Sequence, residues 1–175
     1  DLGGPELIVT LPVRHDGRLY NAAALVDNGR VDLRFKCDLP NYGVFDEKRV
    51  FAAGTAPEPV TFRGVRIGLP ICEDIWHHGI TTELARRGAE LLLVPNGSPF
   101  EVDKFDVRVQ LAATRVAECG VPLAYVNQVG GQDELVFDGG SFIVNGDRTV
   151  VARAPFWEES LFLTRWTRRE NGFAC

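Results

Sequence analysis

Methionine is absent from this 175-residue sequence, histidine occurs only three times, and cysteine occurs four times without any CxxC pair. The wide spacing of the cysteines argues against a zinc site and against a dense disulfide framework. We therefore expect no bound metal and a reducing, cytoplasmic location. The four residues are Cys37, Cys72, Cys119 and Cys175.

A basic block, a long apolar run and a leader-like start are also absent. The net charge is −5 and both signs are mixed along the chain, so neither nucleic acid nor an anionic membrane is expected as a partner. The longest apolar runs are too short to span a bilayer. The opening letters DLGGPELIVTLP lack the basic and apolar segments of a signal peptide. Because the chain starts at Asp1 and contains no methionine, we expect it to be a piece of a longer protein.

The apolar pattern predicts one α/β domain over residues 1–175, which is long enough for a sizeable core. Asn28-Gly29 separates two strand-like runs and is typical of a two-residue hairpin turn. Helices are expected at Ile80–Arg87 and Val102–Glu118, each closed by a glycine. Strands are expected at Glu6–Val13, Leu19–Asp27, Val31–Phe35, Val65–Ile71, AELLLVP (89–95), VPLAYVNQV (121–129), a hairpin on Asn145-Gly146, and ESLFLTRW (159–166).

The stretch RIGLPICEDIW places Cys72 directly after an apolar run and before two acids. The end of a buried strand is where α/β folds place reactive groups, which favours a nucleophile. A lone free cysteine is also often a small buried hydrophobe, and position alone leaves both interpretations open. Glu73 and Asp74 would raise the thiol pKa, so a nucleophilic Cys72 needs a positive partner or a base nearby.

Two kinds of partner are available to Cys72. His77 and His78 follow closely, but adjacent histidines on an irregular segment are more often exposed, and the spacing gives little support to metal binding. His15 is expected in a hairpin turn. Lys36 is flanked by apolar residues at the end of a predicted strand; it is either a snorkelling surface lysine or a cation held by Glu47.

Four segments together resemble the carbon–nitrogen hydrolase, or nitrilase-like, superfamily, and within it the glutaminase domains of glutamine-dependent NAD⁺ synthetases. They occur in the family's order. The resemblance implies a four-layer α-β-β-α sandwich, here incomplete at the N-terminus. The segments are KCDLPNYGVFDEKRVF (36–51), GLPICEDIW (68–76), VPNGSPF (94–100) and YVNQVGGQDELVFDGGSFIV (125–144).

The resemblance also implies roles for individual residues. Cys72 matches the family's nucleophile, Lys36 its catalytic lysine, and Glu47 a supporting glutamate that orients the lysine. The glutamine-binding positions fall on Tyr42, Ser98 and Lys104, although Lys104 also fits an ordinary exposed helix residue. The family's general-base glutamate falls ahead of Asp1, and Glu6 lies in the wrong segment to replace it.

The implied reaction is attack of the Cys72 thiolate on the side-chain amide of glutamine, with release of ammonia and hydrolysis of a thioester. A lysine ammonium and a backbone N–H would stabilise the oxyanion. The implied partners are glutamine, a synthetase domain of the same parent chain that takes ATP and Mg, and further copies in a homo-oligomer; no cofactor is expected in this domain. Two alternatives remain: a stand-alone amidase for another small amide, and a non-catalytic module that lacks the base.

Three further features have a structural and a functional interpretation. NQVGGQDELVFDGGS is either a hairpin with glycine turns or a set of loops at the substrate pocket and domain contact. Trp157 and Trp166 are expected in packing or in contact with another domain or subunit. If upstream strands are missing, a face of the core should be left uncovered and apolar.

Overall fold

The computed structural model describes residues 5–55, 57–170 and 172–175, which form two main sheets and three helices. The elements are β1 Leu7–His15, β2 Arg18–Asp27, β3 Arg30–Phe35, α1 Glu47–Val50, β4 Val60–Phe62, β5 Val65–Gly68, a 3₁₀ turn Cys72–Ile75, α2 His78–Arg86, β6 Leu91–Asn96, α3 Lys104–Cys119, β7 Leu123–Asn127, β8 Val129–Gln132, β9 Leu135–Asp138, β10 Phe142–Val144, β11 Val150–Arg153, β12 Thr167–Arg169 and β13 Gly172–Ala174.

The first sheet is an antiparallel meander in the order β1-β2-β3. Asp27 pairs with Arg30, so Asn28 and Gly29 form the predicted two-residue turn. Both have the positive φ that this turn requires, +45° and +79°. The hairpin prediction is confirmed. The strand that follows this turn, β3, ends at Phe35, which directly precedes Lys36.

The second sheet has six strands in the order β11-β10-β7-β6-β5-β4. Its centre, β5-β6-β7, is parallel, and the outer pairs are antiparallel. Parallel neighbours end at the same edge of a sheet, so the loops after β5, β6 and β7 meet there. Cys72, Ser98 and the glycine-rich segment after Asn127 therefore converge at one edge.

Helices α2 and α3 cover one face of this sheet. The inward residues of α3 recur at helical spacing and are Arg108, Ala112, Arg115 and Val116. They pack over strand residues such as Leu92 and Leu123, which are both fully buried. Helix α3 ends where predicted, because Gly120 adopts the left-handed conformation at φ +70°.

The other face of the six-stranded sheet packs against the first sheet. Ala23 and Leu25 of β2 lie in one cluster with Ile67, Leu69 and Ile71, which lead into Cys72. The described residues thus form helix, sheet and sheet layers, as in the expected α-β-β-α sandwich.

The opposite face of the three-stranded sheet exposes part of its apolar surface. Residues paired across antiparallel strands share a face, and Leu7 pairs with Val26, which pairs with Val31. Leu7, Leu11 and Val31 are exposed by 56%, 38% and 57%, whereas Ala22 and Ala24 on the same face are buried. Within the described residues, the expected uncovered apolar face is therefore seen only in part.

Of two predictions near the end of the chain, one is confirmed and one is wrong. The β10–β11 hairpin forms, and its loop of residues 145–149 contains Asn145-Gly146 and is closed by the Asn145 N–H donating to Thr149 O. Residues 159–166 form no strand. An apolar pattern shows only that a segment can pair, and Leu161 and Leu163 are 90% and 85% exposed.

The glycine-rich segment is a hairpin, as one of its two interpretations proposed, but its glycines are not where expected. Gly130 and Gly131 lie within β8, and the turn is at residues 133–134. Gly139 and Gly140 follow β9 with φ of +68° and +62°.

Among the described residues, no helix combines the length and apolar character needed to cross a membrane.

Candidate active site

Cys72 opens the 3₁₀ turn that follows β5 and is held in an unusual backbone conformation. Its φ is +47°, in the left-handed region, which a non-glycine residue adopts at a cost of about 1–3 kcal/mol. The side chain is half-buried and the thiol is free. Such strain persists only where the surroundings hold it, and it is common at catalytic sites.

The Asp74 carboxylate is the group that holds this turn. Its Oδ2 accepts the N–H of Ile71 at 2.9 Å, one residue before Cys72. Its Oδ1 accepts the N–H groups of Cys37 and Asp38 at 3.0 and 2.7 Å, directly after Lys36. Asp74 therefore ties the turn that carries the candidate nucleophile to the strand end that carries the candidate lysine.

Lys36 is buried, with 1% of its surface exposed, which excludes a snorkelling surface lysine. Its Nζ donates to Glu47 Oε1 at 2.8 Å. Its main chain is fixed on both sides, because the Lys36 N–H donates to Asn21 O at 2.8 Å and Lys36 O accepts the Gly54 N–H at 2.7 Å. Glu47 Oε2 is buried and has no hydrogen-bond partner among the described residues.

The electrostatics keep Cys72 protonated at rest. Burial raises the pKa of the Cys72 thiol, and this outweighs the Lys36 ammonium, which lowers it. Glu73 and Glu47 raise the pKa further, while a hydrogen bond from the Gly97 backbone N–H lowers it. The group becomes a nucleophile only when a base removes its proton, and Lys36 and Gly97 then stabilise the charge.

Glu73 is a site residue that sequence reasoning treated only as a neighbouring charge. Glu73 is 6% exposed, and its two carboxylate oxygens accept from the Tyr42 hydroxyl at 3.0 and 2.8 Å. Burial and this hydrogen bond raise the pKa of Tyr42, which keeps the hydroxyl a donor. The signal in the sequence was an acid placed directly after the cysteine.

A cleft of about 600 Å³ lies in front of this pair and is lined by both signs of charge. A buried carboxylate with a neutral hydroxyl partner is suited to an ammonium group, because the pair supplies negative charge and fixed acceptors. The lining includes Asp38, Tyr42, Lys48, Glu73 and His77.

Ser98 and Lys104 occupy different surroundings. Ser98 is 5% exposed, and it follows Gly97, whose backbone N–H lowers the pKa of the Cys72 thiol. Lys104 begins α3, where its Nζ lies 3.1 Å from Glu101 and 5.2 Å from the centre of the Trp76 ring. Within the described residues, Lys104 makes no hydrogen bond with Cys72, so its proposed role stays a prediction.

The histidines lie outside the cluster. The side chains of His15 and His77 are 52% and 68% exposed, and His77 Nε2 lies 4.0 Å from Glu73 Oε1 in the lining of the cleft. His78 is also exposed, at the start of α2. The Cys–His alternative is therefore not supported. Among residues 5–55, 57–170 and 172–175, no group of three or more His, Cys, Asp or Glu side chains is arranged to hold a metal ion.

Comparison with known proteins gives consistent matches. Residues 3–169 match the family described as carbon-nitrogen hydrolase. The glutamine-dependent NAD(+) synthetase of Rhodobacter capsulatus is 45% identical over 159 residues, which are 90% of this chain and 29% of that protein. The chain thus spans less than a third of that relative's length.

Solved structures match as well. The glutamine-dependent NAD+ synthetase of Acinetobacter baumannii, in complex with ADP, is 36% identical with a TM-score of 0.90, over 96% of this chain and 32% of that one. A mutant amidase from Nesterenkonia sp. AN1 is 31% identical with a TM-score of 0.75, over 86% of this chain and 59% of that one. That amidase carries the result of a Michael addition of acrylamide at its active-site cysteine.

Proposed function

The chain belongs to the carbon–nitrogen hydrolase family, and we propose that it hydrolyses the side-chain amide of glutamine through a covalent intermediate on Cys72. One observation carries the proposal: a buried Lys36–Glu47 ion pair, 2.8 Å long, is fixed beside a cysteine in a left-handed turn. The acrylamide adduct at the active-site cysteine of the Nesterenkonia amidase supports the nucleophile role of a cysteine on this fold.

The reaction proceeds in two steps. A base takes the Cys72 proton, the sulfur attacks the amide carbon, and a C–S bond forms as the carbonyl oxygen becomes an oxyanion. The same proton passes to the departing nitrogen, the C–N bond breaks, and ammonia leaves a thioester. Water then attacks the thioester, giving glutamate and the free thiol.

The charges in the site fit these steps. Lys36 stabilises the thiolate and the oxyanion, because a buried ammonium acts more strongly than one in water. Glu47 keeps that ammonium in place and retains one buried acceptor atom, Oε2, for the substrate amide. We assign the proton transfer to the family's general-base glutamate, which the resemblance places ahead of Asp1.

Recognition of an amino-acid amide follows from Glu73 and Tyr42. The Glu73 carboxylate suits the α-ammonium group of glutamine, and Tyr42 fixes the carboxylate. Ser98 and Lys104 are proposed for the α-carboxylate end. The relatives named as glutamine-dependent NAD⁺ synthetases support a role in supplying ammonia to a synthetase domain that uses ATP and Mg²⁺. None of the residues in this site is assigned to those two ligands.

The test is made in the full-length protein with Cys72→Ala and with Cys119→Ala, another half-buried free thiol, as the matched control. Cys72→Ala should abolish ammonia release from glutamine and glutamine-dependent NAD⁺ formation, and should spare NAD⁺ formation from added ammonia. Cys119→Ala should leave all three unchanged. Glutamine hydrolysis that survives in Cys72→Ala would contradict the nucleophile role.

The second candidate is an amidase for another small amide, favoured by the structural match to the Nesterenkonia amidase. A panel of amides with and without an α-amino group separates the two. Preference for glutamine over an analogue without the α-amino group supports the glutaminase. Equal rates support the general amidase, and no Cys72-dependent hydrolysis of any amide supports the non-catalytic module.

A further inference from the structure

A fully buried arginine, Arg108, is the centre of a polar network that the mechanism above does not use. It lies on the inward face of α3 and its side chain is 0% exposed. Its Nη1 donates to both oxygens of Asp138, at 2.8 and 3.0 Å, and Asp138 is 2% exposed. A buried ion pair is costly to desolvate and gives little net stability, so what it holds in place is informative.

The rest of the guanidinium binds the segment that follows β6. Nε donates to Ser98 Oγ at 3.0 Å, and Nη2 donates to the carbonyl oxygens of Ser98 and Pro99 at 2.9 and 2.8 Å. The planar fork of arginine can reach the carboxylate and this loop at once, whereas a lysine ammonium is a single point.

Asn127, the last residue of β7, holds the same segment from another side. Its Oδ1 accepts the Ser98 N–H at 2.9 Å, and its Nδ2 donates to Ser98 O at 3.2 Å. The same Nδ2 lies 3.4 Å from Asp138 Oδ1, so the two clamps are connected. The N–H, C=O and hydroxyl of Ser98 are all bound by buried side chains.

The held segment follows β6, the parallel neighbour of β5, so residues 97–99 lie at the same edge of the sheet as Cys72. The Gly97 backbone N–H also lowers the pKa of the Cys72 thiol. We propose that Arg108, anchored by Asp138, is a positioning residue that holds the main chain of residues 97–99 and the Ser98 side chain in place at the edge of the sheet where Cys72 lies. Arg108 Nε occupies one acceptor position of Ser98 Oγ, so the orientation of this hydroxyl depends on the arginine. This inference rests on the proposed function, since it assigns Cys72 as the nucleophile.

The test compares Arg108→Lys with Arg115→Lys in the full-length protein. Arg115 is a matched control, because it is a buried arginine on the same helix and pairs with Glu118 at 3.2 Å. Within the described part of the chain, it makes no hydrogen bond to residues 97–99. The readout is the pH profile of Cys72 alkylation by iodoacetamide, followed on the Cys72 peptide by mass spectrometry. This assay needs only the thiol and not the hydrolytic reaction.

In Arg108→Lys the segment 97–99 loses part of its anchor, and the Gly97 N–H should then stabilise the Cys72 thiolate less well. The midpoint of the alkylation profile should therefore rise by about one pH unit. Arg115→Lys should leave the midpoint unchanged. The titratable groups around the thiol remain in both variants, so they do not account for a difference. These groups are Lys36, Glu47, Glu73, Tyr42 and Tyr125.

The activity readout should show the same contrast. Ammonia release by Arg108→Lys should lose at least about tenfold in kcat/KM, with a fall in kcat, while a purely structural role would reduce only the folded fraction. An unshifted alkylation profile in folded Arg108→Lys overturns the inference. If Arg108→Lys does not fold, Asp138→Asn releases the anchor more mildly, and an unshifted profile there overturns it equally. Failure of the proposed function is separate, because it would appear as glutamine hydrolysis surviving in Cys72→Ala.

Discussion

Asp74 provides a quantitative test of the geometry around Cys72. Its carboxylate is 2% exposed, and burial raises its pKa from the ordinary 3.8 to about 6, against the lowering effect of three backbone N–H donors. A carboxyl group whose pKa is higher in the folded state holds its proton more tightly there. Its stabilising contribution is therefore complete below pH 3.8 and is lost as the pH rises through 6. The difference between the two pKa values corresponds to about 3 kcal/mol.

Asp74→Asn should remove this pH dependence. The amide oxygen can still accept from Cys37 and Asp38, but the NH₂ group faces the Ile71 N–H, and the unpaired donors cost about 1–3 kcal/mol. At pH 4 the variant should be less stable than the wild type. From pH 4 to pH 7 the free energy of unfolding of the wild type, relative to that of the variant, should fall by about 2 kcal/mol, because only the wild type loses stability from this carboxyl group.

The measurement is urea denaturation of both proteins from pH 4 to pH 8, followed by tryptophan fluorescence. Asp147→Asn is the control, because hydrogen bonds from Thr149 lower the pKa of this exposed carboxyl group and give the opposite sign of pH dependence. A gap between wild type and Asp74→Asn that stays constant within about 0.5 kcal/mol would refute the reasoning, since extrapolation error is of that order.

Three further outcomes are expected. Glu47→Gln leaves the buried Lys36 ammonium without its counter-charge and should lower the free energy of unfolding by about 3 kcal/mol in urea denaturation, with partial recovery in the double variant Lys36→Met/Glu47→Gln. Tyr42→Phe removes the hydroxyl that holds Glu73 and should raise KM for glutamine roughly tenfold in the ammonia-release assay, with kcat less affected; an unchanged KM would remove Glu73 from recognition. Gly68→Ala would place a methyl group 2.6 Å from Cδ2 of Leu92 in β6 and should lower the free energy of unfolding by about 1–3 kcal/mol. A thermal midpoint equal to that of the wild type would show that the sheet relaxes around the added methyl group.

The candidate site shows how far local pattern could go. The sequence predicted that Cys72 follows a buried strand and that Lys36 lies at the end of another strand, because apolar runs indicate where strands end. Whether the Lys36 side chain is buried or snorkels to the surface could not be predicted from the sequence. It depended on packing of residues that are distant in sequence, and the structure decided it with 1% exposure.

Glu73 and Arg108 show what the sequence concealed. Glu73 becomes a recognition candidate only because Tyr42, 31 residues away, bonds to it. Arg108 resembles any charged residue of an amphipathic helix until α3 packs on the sheet and turns it toward Asp138. Charged residues are rarely buried unless paired, and the pair here is 30 positions apart, so no local pattern could show it.

The end of the chain shows the opposite error. The apolar run 159–166 has a strand-like composition, yet it forms no strand, because strand formation depends on tertiary context and not on composition alone. The Asn145-Gly146 pair similarly marks a turn without setting the loop length, which the register of β10 and β11 determines.

The sequence by itself determined the central strands and helices, the Asn28-Gly29 turn, the end of α3 and the resemblance to the family, since these depend on residues close along the chain or on short segments in a recognisable order. Only the tertiary structure decided which side chains are buried, which carboxylate each cation meets, and which backbone N–H faces the thiol. The physical reason is that a polar group's partner and exposure, and hence its pKa and its chemistry, depend on how the parallel strand ends and the helix α3 pack together. Those contacts join residues up to 37 positions apart in the site described above.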